Sequence, residues 1–257
     1  MVLEHKGTPI FYTDNGEGQP IVLLHGFLEN SSIWNPFVPA LKKKNRVICI
    51  DLLGHGKSGC LGYIHTMEQM AEAVKAILKH LRIQHSYVLG HSMGGYVALA
   101  FADKYQNEVR GLCLINSTAS ADTREKQKNR DRAILAVKEN HRTFIRIAIS
   151  NLFSLKNRSV FSKEINALTL DAQKTPLQGI IAALEGMKIR KNREDVFKNG
   201  SFNKMLILGK EDPVLDYKLL VDQTKNTDIE IVLFPDGHMS YIENKEELLQ
   251  KIMRFIE

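Results

Sequence analysis

Six short apolar runs punctuate the chain, at residues 21–24, 47–50, 87–89, 112–115, 205–208 and 229–233. They are apolar at nearly every position instead of every second one. That suits strands buried on both faces, the condition of a parallel sheet covered by helices. Segments of helical periodicity fall at about 33–42, 66–81, 93–105 and 245–256, each long enough for a right-handed crossover. The predicted fold class is therefore α/β, an open, doubly wound, mostly parallel sheet.

The rhythm stops at Asn116 and resumes near Met205. Residues 118–200 read as consecutive helices. One carries Ile145, Ala148, Ile149 and Leu152 at i, i+3, i+4 and i+7, and another opens with Thr175 as N-cap and Pro176 at the first helical position. This block is predicted to be an inserted all-helical cap. At 257 residues the chain is long enough to bury roughly 70–75% of its unfolded surface without disulfides or metals.

A net charge of +6 admits a nucleic-acid binder, a membrane-surface protein or an enzyme of acidic substrates. Residues 118–200 hold 17 Lys and Arg against 9 Asp and Glu, a net +8, which leaves the remainder at −2. The basicity thus belongs to the cap. No helix-turn-helix, RRM or zinc pattern accompanies it, so nucleic acid is not an expected partner. Cys49, Cys60 and Cys113 are an odd set without a CxxC pair, which indicates neither a disulfide framework nor a zinc site. No signal-type or membrane-length apolar stretch is visible, so the expected location is the cytoplasm, with no membrane partner.

The segment with the most chemical content is Gly90-His91-Ser92-Met93-Gly94-Gly95, between a predicted strand and a predicted helix. G-x-S-x-G in that context is a nucleophile elbow, a sharp turn that lifts the serine hydroxyl above the sheet. Side chains at Gly90 and Gly94 would collide across the turn. A serine hydroxyl needs a neighbouring base, itself oriented by an acid. Asp212 follows the run 205–208, and His238 follows the last strand, both at the strands' C-terminal ends. Asp212 is assigned as the acid, with Asp195, Asp216 and Asp236 as positional rivals, and His238 as the general base. His25 is read as a loop-orienting residue and His55 and His91 as packing or hydrogen-bonding residues. His5, His65, His80, His85 and His141 are read as surface or boundary residues.

The order Ser92, Asp212, His238, together with His25-Gly26-Phe27 after the first run, resembles the α/β-hydrolase superfamily over essentially the whole chain. Asp51-Leu-Leu-Gly54-His55-Gly56-Lys57-Ser58 resembles its D-x-x-G-x-G-x-S loop, read here as a structural turn. The resemblance implies a core at 1–117 and 201–257, with the cap 118–200 inserted after the sixth strand. It also implies an oxyanion hole made by the backbone N–H groups of Phe27 and Met93.

Ser92 stands where haloalkane dehalogenases and epoxide hydrolases of this superfamily carry Asp, which favours an acyl-enzyme route. The expected activity is hydrolysis of a carboxylic ester, thioester or similar acyl bond, with no metal or cofactor. The expected substrate is a small acyl compound, and the basic cap suits one that is acidic or carrier-bound, as for a carrier-protein methyl esterase. A menaquinone-pathway lyase of the same fold resembles the chain at the elbow but has Arg where Tyr96 stands. A non-enzymatic ligand receptor using the same pocket is the alternative from another class.

Overall fold

The computed structural model describes residues 1–257. Its strands are β1 (Val2–His5), β2 (Thr8–Asn15), β3 (Gln19–Leu24), β4 (Asn45–Ile50), β5 (Ser86–His91), β6 (Val109–Ile115), β7 (Asn203–Gly209) and β8 (Glu230–Phe234). They form one sheet in the order β1-β2-β4-β3-β5-β6-β7-β8. Strand β2 runs antiparallel to β1 and β4, and all other pairings are parallel. The last four residues of each strand from β3 to β7 are buried, which is why these runs are apolar at successive positions. In β2 only Thr8, Ile10 and Tyr12 turn inward, so its signal is alternating and weaker.

Helices α1 (Val38–Leu41), α2 (Met67–His80) and α3 (Met93–Lys104) follow β3, β4 and β5. Helix α2 begins where expected because Thr66 and Gln69 form a capping box, each side chain accepting the other's backbone N–H. The helix expected over 33–42 is instead a 3₁₀ turn, Ser31–Trp34, and the single turn α1. Pro36 and Pro39 lack the N–H groups a continuous helix would use.

Between β6 and β7 run α4 (Arg124–Glu139), α5 (His141–Ser150), α6 (Asn157–Val160), α7 (Ser162–Ala172), α8 (Leu177–Lys188) and α9 (Glu194–Asn199). Pro176 is the N-cap of α8, with extended ψ of 144°, so the helix starts one residue later than the Thr175 reading has it. The chain ends with α10 (Tyr217–Gln223), α11 (Ser240–Glu243) and α12 (Lys245–Ile256). No helix is long and apolar enough to cross a membrane.

Ile134 and Val137 of α4, Ile145 and Ile149 of α5, and Leu184 and Met187 of α8 are buried in the same continuous apolar cluster as the sheet. Phe144 and Leu152 lie half-buried against it. Polar ties reinforce the seam. Buried Arg193 donates to Glu68 of α2 at 2.6 Å and to Asp103 of α3 at 3.1 Å. Within the segment itself, Asp122 accepts from both Arg130 and Arg190.

His65 is buried, which corrects its reading as a surface or boundary residue. Its Nε2 accepts the Leu61 N–H at 3.0 Å, and its backbone N–H donates to Ala182 of α8 at 2.9 Å. Burial pushes His55 down to about 3 and His65 down to about 4, against an ordinary 6.5. Between those values the unfolded chain binds the protons that the folded chain refuses. Their contribution is therefore intact above pH 6.5 and lost as pH falls. Urea unfolding should show His55 alone removing on the order of 3 kcal/mol between pH 6.5 and pH 4. His55→Asn, which keeps a donor toward Leu53, should flatten that slope; an unchanged slope would assign the acid sensitivity elsewhere.

Candidate active site

Strand β5 delivers Ser92 directly to the start of α3, and the turn is as sharp as the motif implies. Ser92 has φ 49° and ψ −115°, a left-handed conformation that a side chain adopts only under constraint. The constraint is visible: Ser92 N–H donates to Ile115 O at 2.9 Å, and Ser117 Oγ donates to Ser92 O at 2.8 Å. A Cβ on Gly90 would strike the Gly94 backbone, and one on Gly94 would lie 2.5 Å from Leu24 O and 2.7 Å from His25 O. The elbow is therefore seated against the end of β3, one residue short of the segment carrying Gly26 and Phe27.

The loops after β7 and β8 bring the other two predicted residues to the serine. His238 Nε2 lies 2.9 Å from Ser92 Oγ, and His238 Nδ1 lies 2.7 Å from Asp212 Oδ2. Both the imidazole and the carboxylate are almost wholly buried, whereas Ser92 is half-buried. Asp212 Oδ1 accepts the backbone N–H groups of Val214 and Leu215 at 2.8 and 3.0 Å. Burial pushes the Asp212 carboxyl upward, but the His238 ring and these hydrogen bonds outweigh it and hold it below its ordinary value. An ionised Asp212 facing Nδ1 selects the tautomer with Nδ1 protonated, which leaves the Nε2 lone pair for the serine proton.

The rival carboxylates lie away from His238. Asp216 caps α10, Asp236 accepts from Asn157 and Asn244, and Asp195 is exposed on α9. The predicted oxyanion donors flank the elbow: Phe27 follows β3 and Met93 opens α3, and neither backbone N–H donates to a protein acceptor. His25 Nδ1–H donates to Gly26 O at 2.7 Å while Nε2 accepts Leu52 N–H at 2.9 Å, so this ring braces the loop. In the Asp51 loop the carboxylate accepts Ser31 N–H and Lys57 N–H at 2.7 and 2.8 Å, a structural task.

Asn116 is a residue that the sequence reading passes over. It sits just beyond β6 with φ 46°, which asparagine tolerates better than most residues. Its Nδ2 donates to Asp212 Oδ2 and to Gly237 O, each at 3.2 Å. An asparagine directly after an apolar strand, at the same sheet edge as Asp212, is the signal that was available.

Residues 19–245 match the family described by the alpha/beta hydrolase fold. The chain belongs to that family. Over 268 residues it is 27% identical to 3-oxoadipate enol-lactonase 1 of Acinetobacter baylyi, covering all of this chain and 96% of that one. It is 28% identical over 244 residues to the dihydrolipoyllysine-residue acetyltransferase component of the acetoin cleaving system of Pseudomonas putida. That match covers 93% of this chain but only 64% of the longer protein. Among solved structures, a thermophilic esterase from Thermogutta terrifontis, described as malate-bound, superposes with a TM-score of 0.93 at 27% identity, over all of this chain and 97% of that one. In this alpha/beta hydrolase the matched region runs from β3 to the start of α12.

The helical segment between β6 and β7 borders the triad. His238 N–H donates to Leu152 O at 3.0 Å, and the Arg190 guanidinium lies 4.0 Å above the ring of Tyr96, one turn beyond Ser92. A cleft of about 380 Å³ at the seam, lined by Asn30, Ser32, Lys57, Asp171 and Lys174 among others, includes none of the triad residues.

Proposed function

We propose that this enzyme hydrolyses a carboxylic ester, thioester or similar acyl bond of a small molecule through an acyl-enzyme on Ser92. The observation that carries the reading is the continuous relay from Asp212 Oδ2 through His238 to Ser92 Oγ, at 2.7 and 2.9 Å. In the proposed cycle His238 Nε2 takes the Ser92 proton as Oγ attacks the acyl carbon. The negative charge that develops on the carbonyl oxygen is received by Phe27 and Met93 N–H, each such donor being worth about 2.7–4 kcal/mol. The proton on Nε2 passes to the leaving group. His238 then activates a water to release the acid and restore the serine.

The relatives described as an esterase and an enol-lactonase support the choice of an acyl–oxygen bond. An active-site-directed fluorophosphonate should label the wild-type protein at one serine, and Ser92→Ala should abolish the labelling. Labelling that persists in the variant would place the nucleophile elsewhere.

The segment 118–200 acts as the cap over this site in the proposed reading, and its charge favours an acidic substrate or carrier. Arg124, Lys126 and Lys128 are exposed in the first turns of α4, next to the positive end of the helix dipole, where cations do not help the helix. Arg130 differs, since it is paired with buried Asp122. Replacing Arg124, Lys126 and Lys128 by glutamine should lower kcat/KM for a carboxylated ester by about 3–10-fold at low salt and leave a neutral ester unaffected. Equal values for both esters would reduce these charges to a solvated surface.

A further inference from the structure

Beneath the elbow lies a carboxylate that the proposed mechanism does not use. Glu29 is 3% exposed, and no lysine or arginine pairs with it. Its Oε2 accepts the Gly26 N–H at 2.5 Å and lies 3.0 Å from His91 Nδ1, and its Oε1 accepts the Tyr241 hydroxyl at 3.1 Å. The other nitrogen of the same ring, His91 Nε2, lies 3.0 Å from the backbone oxygen of His238. Both nitrogens of a fully buried imidazole therefore face acceptors, one a carboxylate and one a carbonyl. Glu29 accepts from both the Gly26 N–H and the Tyr241 hydroxyl, contacts that favour its ionised form. Beside an ionised carboxylate a neutral ring would turn a bare lone pair toward one of its two acceptors, so the ionised pair calls for protons on both ring nitrogens.

We propose that Glu29 is a positioning residue that, through a His91 imidazolium, sets the Gly26–Phe27 loop and the His238 backbone relative to one another. The inference rests on the Ser92 reading above. Glu29 reaches both moving parts of the chemistry at once. Gly26 immediately precedes the oxyanion donor Phe27, and His91 immediately precedes Ser92 while holding the residue that carries the base. The clamp has no slack for a side chain at position 26, where a Cβ would lie 2.7 Å from Glu29 Oε2 and 2.9 Å from His91 Nδ1. The other titratable groups facing the pair are His25, His55, His238, Tyr241 and Asp212. Burial drives the His91 ring downward, yet the Glu29 carboxylate raises it above its ordinary value; burial pushes Glu29 upward, yet the His91 ring holds it below its own.

Because the two parts act on the transition state, loss of the clamp falls on kcat and leaves KM nearly unchanged. With p-nitrophenyl acetate and sites counted by fluorophosphonate, Glu29→Gln should lower kcat about 100-fold with KM within about twofold. His91→Gln should lose a similar factor, and the double variant should lose no more than the worse single, since both break one linkage. A folded Glu29→Gln protein with wild-type kcat, a loss confined to KM, or losses that multiply would each overturn the proposal. Nitrogen-15 spectra of the wild-type histidine rings give a second reading that needs no variant to fold. At pH 6.5, the ordinary imidazole value, His91 should carry protons on both ring nitrogens, and a bare nitrogen there would also overturn it. If instead the wild type neither hydrolyses esters nor labels at Ser92, the functional reading fails while the ring spectrum still decides the state of the pair.

Discussion

Ser92→Ala should lower kcat on p-nitrophenyl acetate by about 10⁶-fold while leaving the fold intact. Alanine keeps the same Cβ at φ 49°, so the turn stays as strained and as well held as before. The backbone ties that hold it, Ser92 N–H to Ile115 O and Ser117 Oγ to Ser92 O, do not involve the deleted hydroxyl. The hydroxyl of Ser117, next to the elbow, is itself engaged as the donor in the second of these bonds. What remains would be the residual acceleration from the oxyanion donors and binding, about 10³–10⁴-fold over water. A variant whose kcat lies within tenfold of wild type would remove Ser92 from the reaction.

Asp212→Asn should cost about 10⁴-fold in kcat, and the structure says how. One carboxylate oxygen, Oδ1, accepts two backbone N–H groups, from Val214 and Leu215. In the asparagine variant these donors hold the amide oxygen in that place, so the amide NH₂ must take the place of Oδ2. There it meets His238 Nδ1 and becomes a donor where an acceptor stood. Nδ1 must then accept, the ring proton moves to Nε2, and Nε2 can no longer take the proton of Ser92. The Asn116 amide, aimed at the same place, would face a second NH₂ group. The signature is a loss in kcat with the triad geometry preserved; kcat within tenfold of wild type would mean that another acid orients the base.

How much of this was legible in the sequence depends on whether a residue's meaning is local. The elbow was readable because strand, glycines, serine and helix are contiguous, and Asp212 and His238 because each follows an apolar run at the edge where the sheet gathers its loops. Strands β1 and β2 leave little local signal, because β1 is largely exposed and the buried residues of β2 alternate with solvated ones. Over 33–42 the apolar spacing is helical, but Pro36 and Pro39 break the helix that it announces. His65 owes its burial to the approach of α8, a contact 117 positions along the chain that no local pattern announces. Glu29 lies furthest from legibility. Its partners include His91 and Tyr241, 62 and 212 positions away, and nothing near Glu29 in the chain marks it as other than a surface acid.

The single apolar interior that the sheet shares with α4, α5 and α8 bears on how molecules come and go. In the proposed reading, with segment 118–200 as the cap over Ser92, a swing of the whole segment would break that continuity together with the buried Arg193 ties to Glu68 and Asp103. Substrate would then reach Ser92 through smaller motions of side chains and loops. Such an entry sieves by cross-section, so a slender acyl ester would be admitted more readily than a bulky one.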